Sequence, residues 1–257
     1  MIEIATLVAS GAVLGFLIGM TGVGGGVLTV PVLILIMRLD PISAVGTASL
    51  YSVLTKIYAA FKHHRQKTVS VRVGLRFLVP ALPGVICSSL LVMWGTASLS
   101  PAGVDTLQSA ISYVIILSIV FSLVVLLFDS SRFEGTPSSL RLGRTLSAFF
   151  VFLVGAIIGA TSIGGGILII PALLLFYRDS SNFVGTSIFV AILLMLVMSV
   201  IYGVLGQHSD SGAVNLRVTG FMALGSLVGT HYGSGLSKRI EPRRLRFVIV
   251  GVITLAA

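Results

Sequence analysis

The sequence predicts an all-α polytopic membrane protein built from two inverted-topology repeats, each with a Gly-rich broken helix or re-entrant hairpin followed by transmembrane helices. Of its 257 residues, 56% are hydrophobic and 10% are charged, whereas soluble domains carry about 25% charged residues. Long apolar runs alternate with short polar stretches, as in a bundle of membrane helices. A glycine-rich segment also occurs twice, as "GMTGVGGGVLTVP" at 19–31 and "GATSIGGGILIIP" at 159–171.

The hydrophobic runs give the predicted elements in chain order. A helix needs about 20 residues to cross a bilayer, at about 1.5 Å per residue. The runs beside each glycine segment are shorter, so they predict either a hairpin of half-helices or a pair of tilted short spans. The last run is also short for a span. In order, the runs are 4–20, 25–37, 42–61, 73–94, 106–128, 146–160, 165–177, 183–205, 214–235 and 246–257.

Self-alignment of the chain indicates an internal duplication. Placing one glycine segment on the other also aligns Pro31 with Pro171, and a small slippage aligns the "VGT" at 45–47 with the "VGT" at 184–186. Further along, Arg72 aligns with Arg217. The predicted organisation is a single integral membrane domain, with a first repeat at 1–128, a cytoplasmic linker at 129–145 and a second repeat at 146–257.

The distribution of basic residues predicts how the repeats are oriented. Most lysines and arginines fall within 62–76, 132–144 and 238–246, as the positive-inside rule expects of cytoplasmic loops. This places 206–213, which has no lysine or arginine, outside. Equivalent loops then face opposite sides, which predicts inverted repeats in a multi-pass protein of the cytoplasmic (inner) membrane. Because Glu3 stands where a signal peptide has basic residues, we expect the first run to be part of the fold.

Acidic residues and the single cysteine exclude several function classes. All eight acidic residues lie at or beyond the ends of the hydrophobic runs, whereas cation pumps usually place carboxylates inside the bundle. An anionic or neutral substrate is therefore favoured. Cys87 alone cannot form an intrachain disulfide or a multi-cysteine metal site. The chain has no HExxH or G-x-S-x-G motif, and its glycine segments lack the P-loop lysine and the Rossmann pattern. We expect no enzyme activity, no cofactor, no metal and no nucleic-acid partner.

The two glycine segments form the predicted substrate site. A Gly-rich break before a helix exposes unpaired N–H groups at the positive end of the helix dipole, which binds anions. We expect the helix starts at Gly24–Gly26 and Gly164–Gly166 to face each other around a small anion. The alternative is close helix packing, our interpretation of the GxxxG pairs at 11–15, 15–19 and 225–229. The predicted substrate-binding residues are Thr21, Gly22, Gly24, Gly25, Gly26, Thr47, Ser49, Lys56, Thr161, Ser162, Gly164, Gly165, Gly166, Thr186 and Ser187.

Several of these residues have a second interpretation. The hydroxyls that follow each "VG" pair either line the cavity or bond to the backbone of their own helix. Lys56 is a basic residue well inside a hydrophobic run, and it either extends to the cytoplasmic end of its helix or guides an anion. Arg72 and Arg217 open equivalent helices and are either interface anchors or vestibule charges. We expect His231 to be a packed histidine, with a proton-carrying role as the alternative.

Both glycine segments carry a family resemblance. The stretches "GFLIGMTGVGGGVLTVPVLI" and "GAIIGATSIGGGILIIPALLL", each followed by "VGT", resemble the TauE/SafE sulfite exporter family. The stretch "LRVTGFMALGSLVGTHYGSGL" from Leu216 resembles the second-half signature of that family. The resemblance covers nearly the whole chain, although Tyr51 and Lys56 match no family motif.

The resemblance implies secondary transport of a sulfur-containing anion such as sulfite, thiosulfate or an organosulfonate like sulfoacetate. The expected mechanism is alternating access, with a passive anion channel as the alternative and an intramembrane enzyme as a remote one. The expected partners are a small anionic substrate and the lipid bilayer, and a homodimer is left open. The resemblance does not distinguish export from import.

Overall fold

The computed structural model describes residues 2–21, 26–65, 69–127, 144–164, 168–176, 183–206 and 213–237. Within these ranges all regular secondary structure is helical, as the sequence predicts. The predicted final run at 246–257 and most of the predicted linker lie outside the described residues. The helices are α1 (Ile2–Thr21), α2 (Gly26–Leu35), α3 (Pro41–Arg65), α4 (Val71–Ser98), α5 (Pro101–Leu127), α6 (Arg144–Thr161), α7 (Ile169–Phe176), α8 (Phe183–Leu205) and α9 (Leu216–Ser237).

Apolar helices and an apolar surface indicate a membrane environment. Among the described residues, Val71–Ser98 and Gly185–Leu205 are long and apolar enough to cross a bilayer, and Ile4–Gly19 is a shorter apolar helix. Large apolar side chains also cover the outside of the bundle, with Val79 and Tyr113 each 73% exposed. Water would disfavour so much exposed apolar surface, whereas lipid tails do not.

The two short helices that follow the glycine segments begin at different points. Helix α2 begins at Gly26, so Pro31 lies inside it, whereas α7 begins at Ile169, after a turn at Leu168. The later start places Pro171 in the first turn of α7, where its missing N–H costs no helical hydrogen bond. The predicted second helix start at Gly164–Gly166 is therefore wrong in position by several residues.

Glycines bring helices of the two sequence halves into backbone contact. Helix α1 packs along α9, and α4 packs along α6. A Cβ added at any of the interfacial glycines would overlap a backbone carbonyl oxygen of the facing helix, so only glycine fits. This confirms the packing interpretation of the GxxxG pairs at 11–15 and 225–229. The glycines with such contacts are Gly11, Gly15, Gly225 and Gly229 between α1 and α9, and Gly84 and Gly155 between α4 and α6.

Helices α3 and α8 pack against each other in the centre and run in opposite directions. The N–H of Asn215, in the connection that leads from α8 to α9, donates to Oγ1 of Thr47 in the second turn of α3, at 3.0 Å. The N–H of Ser70, in the connection that leads from α3 to α4, donates to Oγ1 of Thr186 in the first turn of α8, at 2.9 Å. Each helix therefore begins where the other ends.

Candidate functional site

The second glycine segment interrupts the helical backbone inside the protein. Helix α6 ends at Thr161, whose Oγ1–H donates to the Ile157 carbonyl at 2.7 Å and accepts from the N–H of Ile163 at 3.2 Å. Ser162 follows in the left-handed region with φ 57°. Both hydroxyl residues are fully buried. The break is thus enclosed by protein, the condition under which non-helical backbone is tolerated at membrane depth.

The first glycine segment contacts this break. Gly26 opens α2, and a Cβ at this position would overlap the carbonyl oxygen of Ser162 and lie 3.4 Å from Cα of Ile163. The Ser162 hydroxyl in turn donates to Sδ of Met195 on α8, at 3.6 Å. Segments that are far apart in the sequence therefore meet backbone to backbone beside the central helix pair, and the hydroxyl of Ser162 is directed at that pair.

Only part of the predicted glycine site falls within the described residues. Thr21 ends α1, and Gly26 and Ser162 are in contact. The missing side chain of Gly164 faces Ile158, where a Cβ would lie 2.9 Å from Cγ1, so this glycine permits packing against its own α6. The predicted site residues that lie outside the described parts of the chain are Gly22, Gly24, Gly25, Gly165 and Gly166.

The hydroxyls after the two "VG" pairs are all buried but do not act alike. Ser49 donates to the carbonyl of Gly46 at 2.6 Å, as the own-helix interpretation predicts. Thr47 and Thr186 instead accept backbone N–H groups from the connections that precede α9 and α4. Ser187, 1% exposed, lies beside Thr186 in the chain. The two threonines therefore join the sequence halves, a role that the sequence analysis did not anticipate.

Lys56 is buried inside the bundle. Its side chain is only 6% exposed, and its Nζ has no hydrogen-bond partner among the described residues. The interpretation that it extends to the membrane surface is therefore wrong. One turn earlier on α3, Ser52 is fully buried, and its Oγ also has no partner within the described part of the chain. Sequence reasoning missed Ser52, although its spacing of four residues from a lone intramembrane lysine is a usable signal.

Two neighbouring cavities lie between α3 and α9, on the side of α3 that carries Thr55. The larger has a volume of about 560 Å³ and is lined mainly by apolar side chains, together with Arg217, Thr55 and Ser226. The smaller, of about 220 Å³, shares Thr55 and Ser226 and adds His231. Tyr51, also buried, has its hydroxyl beside Ser226 but outside hydrogen-bonding geometry.

Three predicted polar residues lie at the surface of the described bundle. His231 is exposed and stacks edge-on against Tyr232, with ring centroids 5.7 Å apart. The expectation of a packed histidine is therefore wrong, because the last turns of α9 turn this side chain away from α1. Arg72 and Arg217 are exposed at the starts of α4 and α9, and Arg217 lines the larger cavity.

Residues 7–257 match the family model described as sulfite exporter TauE/SafE. This range includes both glycine segments and the central helices α3 and α8. The chain belongs to the TauE/SafE family. This TauE/SafE protein is 31% identical to the probable membrane transporter protein YjnA of Bacillus subtilis (strain 168), over 98% of this chain and 97% of that protein. The probable membrane transporter protein YunE of the same strain is 26% identical, over 97% of this chain and 94% of its own length.

A probable membrane transporter protein of Xylella fastidiosa (strain Temecula1 / ATCC 700964) is 26% identical, over 97% of this chain and 91% of that protein. No solved structure matches the chain significantly. The relatives are named as membrane transporters rather than enzymes, and they match the TauE/SafE chain over nearly its whole length. The resemblance seen in the sequence is confirmed, and the protein is a multi-pass membrane protein of a transporter family.

Proposed function

We propose that this TauE/SafE protein is a secondary transporter that moves a small sulfur-containing anion across the cytoplasmic membrane by alternating access. Sulfite, thiosulfate and organosulfonates such as sulfoacetate are the candidate substrates. The observation that carries the proposal is the contact between Gly26 and Ser162. It brings a helix start and a helix break together in the buried interior of an apolar bundle, which is how secondary transporters build substrate sites.

The polarity of the backbone at this contact supports an anionic substrate. Gly26 is the first residue of α2, and the first N–H groups of a helix have no partner within it. The helix dipole adds partial positive charge at the same end. Unpaired N–H groups at the positive end of a helix dipole are a typical binding site for an oxyanion.

Crossed contacts between the sequence halves support an inverted arrangement of two repeats. Helices α3 and α8 contain the equivalent "VGT" segments near their starts and are antiparallel. The threonine of each segment accepts an N–H from the connection before α9 or α4 in the other half. The pairing of α1 with α9 mirrors that of α6 with α4. In inverted-repeat transporters the substrate site lies at the repeat interface and opens alternately to the two sides.

Flux measurements on proteoliposomes test this proposal. We expect saturable uptake of radiolabelled sulfite, thiosulfate or sulfoacetate, together with counterflow when unlabelled anion is trapped inside. We expect Gly26→Ala to lose most of this uptake, because the added Cβ would separate α2 from the break at Ser162. The matched control is Gly203→Ala on α8, where a Cβ would meet nothing within 4 Å.

Each alternative result has a defined meaning. Equal uptake by Gly26→Ala and Gly203→Ala would remove the Gly26 contact from the transport mechanism. Non-saturable flux without counterflow would favour an anion channel. The absence of flux for every sulfur anion, in protein that remains folded by circular dichroism, would refute the substrate class.

A further inference from the structure

An unpaired cation lies in the core of the bundle. Lys56 is the charged residue among the buried side chains of the described chain, and neither its Nζ nor the Oγ of Ser52 has a hydrogen-bond partner there. A buried ammonium without a counter-charge is costly, and intramembrane ionisable residues usually mark a substrate pathway. The pair therefore needs a group that supplies both negative charge and hydrogen-bond acceptors.

Helix geometry places the two side chains together. Residues four apart on an α-helix share a face, with their Cβ atoms about 6 Å apart. Ala48, Ser52 and Lys56 follow one another at this spacing and are all buried, whereas Leu54 and Ile57 on other faces of α3 are exposed. Ser52 and Lys56 therefore point towards the packed interior rather than towards lipid.

Ser52 and Lys56 lie at about the same depth in the bundle as the contact of the glycine segments. A Cβ at Gly46 of α3 would lie 3.1 Å from Cδ1 of Tyr202 on α8, which fixes the relative level of these antiparallel helices. At about 1.5 Å per residue, Ser52 lies about 9 Å along α3 from this contact, and Met195 lies about 10 Å along α8. Met195 is the residue whose Sδ accepts the hydrogen bond from the Ser162 hydroxyl. Ser52 is therefore at about the depth of the helix break, and the lysine is one turn further.

The structure describes two carboxylate side chains, Asp40 and Asp105, and neither forms a hydrogen bond with Lys56. Asp40 precedes α3 and accepts the N–H of Ser43 at 2.9 Å, about 24 Å along the helix from Lys56. Asp105 is exposed on α5. Among the described residues no side chain supplies the counter-charge, and an anionic ligand would supply it.

We infer that Lys56 and Ser52 bind the head group of the transported anion and that the site accepts a monoanion in preference to a dianion. The inference rests on the proposed transport function and narrows its substrate class. One buried ammonium compensates one negative charge, and a second charge would remain uncompensated in a medium of low dielectric constant. A singly charged sulfonate or hydrogen sulfite satisfies this condition, whereas the dianions sulfate, thiosulfate and sulfoacetate do not, which narrows the candidate substrates given above.

Anion-induced thermal stabilisation and calorimetry of the purified full chain test the inference. The probes are methanesulfonate as a monoanion and sulfate and thiosulfate as dianions, at matched ionic strength. We expect methanesulfonate to bind wild-type protein at least about tenfold more tightly than either dianion. We expect Lys56→Met to weaken methanesulfonate binding by about tenfold or more, because a charged hydrogen bond is lost.

Further variants separate binding from folding. Without anion, Lys56→Met is expected to melt at or above the wild-type temperature, because an apolar side chain replaces a buried unpaired charge. Lys56→Arg keeps the charge and should retain most of the affinity, and Ser52→Ala should weaken binding several-fold. The matched control is Arg76→Gln, which removes one positive charge from the exposed side of α4 and should bind methanesulfonate like wild type.

Two results would overturn the inference while leaving transport intact. Saturable flux and unchanged methanesulfonate affinity in Lys56→Met would remove the lysine from the site. Equal wild-type affinity for methanesulfonate and the dianions would refute the charge selection. If wild-type protein neither binds nor transports any of these anions, the proposed function itself fails.

Discussion

The interface of α1 and α9 offers a sharp test of the packing. Gly225 lies where the two backbones touch, so that a Cβ would overlap the Val8 carbonyl oxygen and lie 2.9 Å from the nitrogen of Ala12. Gly220 is on the same helix, but a Cβ there would meet nothing within 4 Å. Alanine at these two positions makes the same chemical change in opposite environments.

The two substitutions should change stability in opposite directions. Replacing glycine by alanine inside a helix gains about 1 kcal/mol from backbone entropy, and Gly220→Ala should keep this gain. Inserting a methyl group into a packed contact costs about 1–3 kcal/mol. The cost at Gly225 should be near the upper end of that range, because its neighbours are backbone atoms that cannot rotate away. Gly225→Ala should therefore lose about 2 kcal/mol net, a difference of about 3 kcal/mol between the variants.

Reversible unfolding in mixed micelles, followed by far-ultraviolet circular dichroism, measures this difference. Equal stabilisation of both variants relative to wild type would refute the close contact of α1 and α9. Equal destabilisation of both variants would show that α9 does not tolerate an added methyl group at either position. The contact of Gly225 with α1 would then not explain the loss of stability.

Two further predictions concern polar groups that the structure places in the interior. Thr186→Val should destabilise the protein by about 1–3 kcal/mol in the same unfolding assay, because the N–H of Ser70 loses its acceptor. Thr186→Ser keeps the acceptor and should lose clearly less, so equal losses would argue against the hydrogen bond. Ser162→Gly should stabilise the chain by about 1 kcal/mol, because glycine adopts the observed φ of 57° without strain. Ser162→Val should destabilise it, and a stable valine variant would contradict the left-handed backbone.

Local sequence patterns were sufficient to predict where most of the described helices lie. The hydrophobic runs 73–94 and 183–205 correspond to α4 and α8, and the glycine segments coincide with the ends of α1 and α6. Two effects decide these elements: apolar runs are buried in lipid, and glycine has a low helix propensity. Each effect depends only on residues that are close together in the chain. Such effects can be read along the chain without knowledge of its partners.

Partners across the bundle could not be predicted in the same way. Thr47 and Thr186 look alike in the sequence, and nothing local indicates that their hydroxyls accept N–H groups 168 and 116 residues away. Lys56 lies inside a hydrophobic run, a position that fits both a side chain extended to the membrane surface and a buried one. The packing of α3 against α8 and α9 decided between them.

By itself, the sequence determined the helical class, the membrane environment and the family, because each depends on composition or on short motifs. The tertiary structure decided which glycines only permit packing, where the second short helix begins, and that Gly26 touches Ser162. It also decided that Lys56 is enclosed without a described partner. These outcomes depend on which helix faces are buried against each other, and that follows from the folded arrangement of the whole bundle rather than from any one segment.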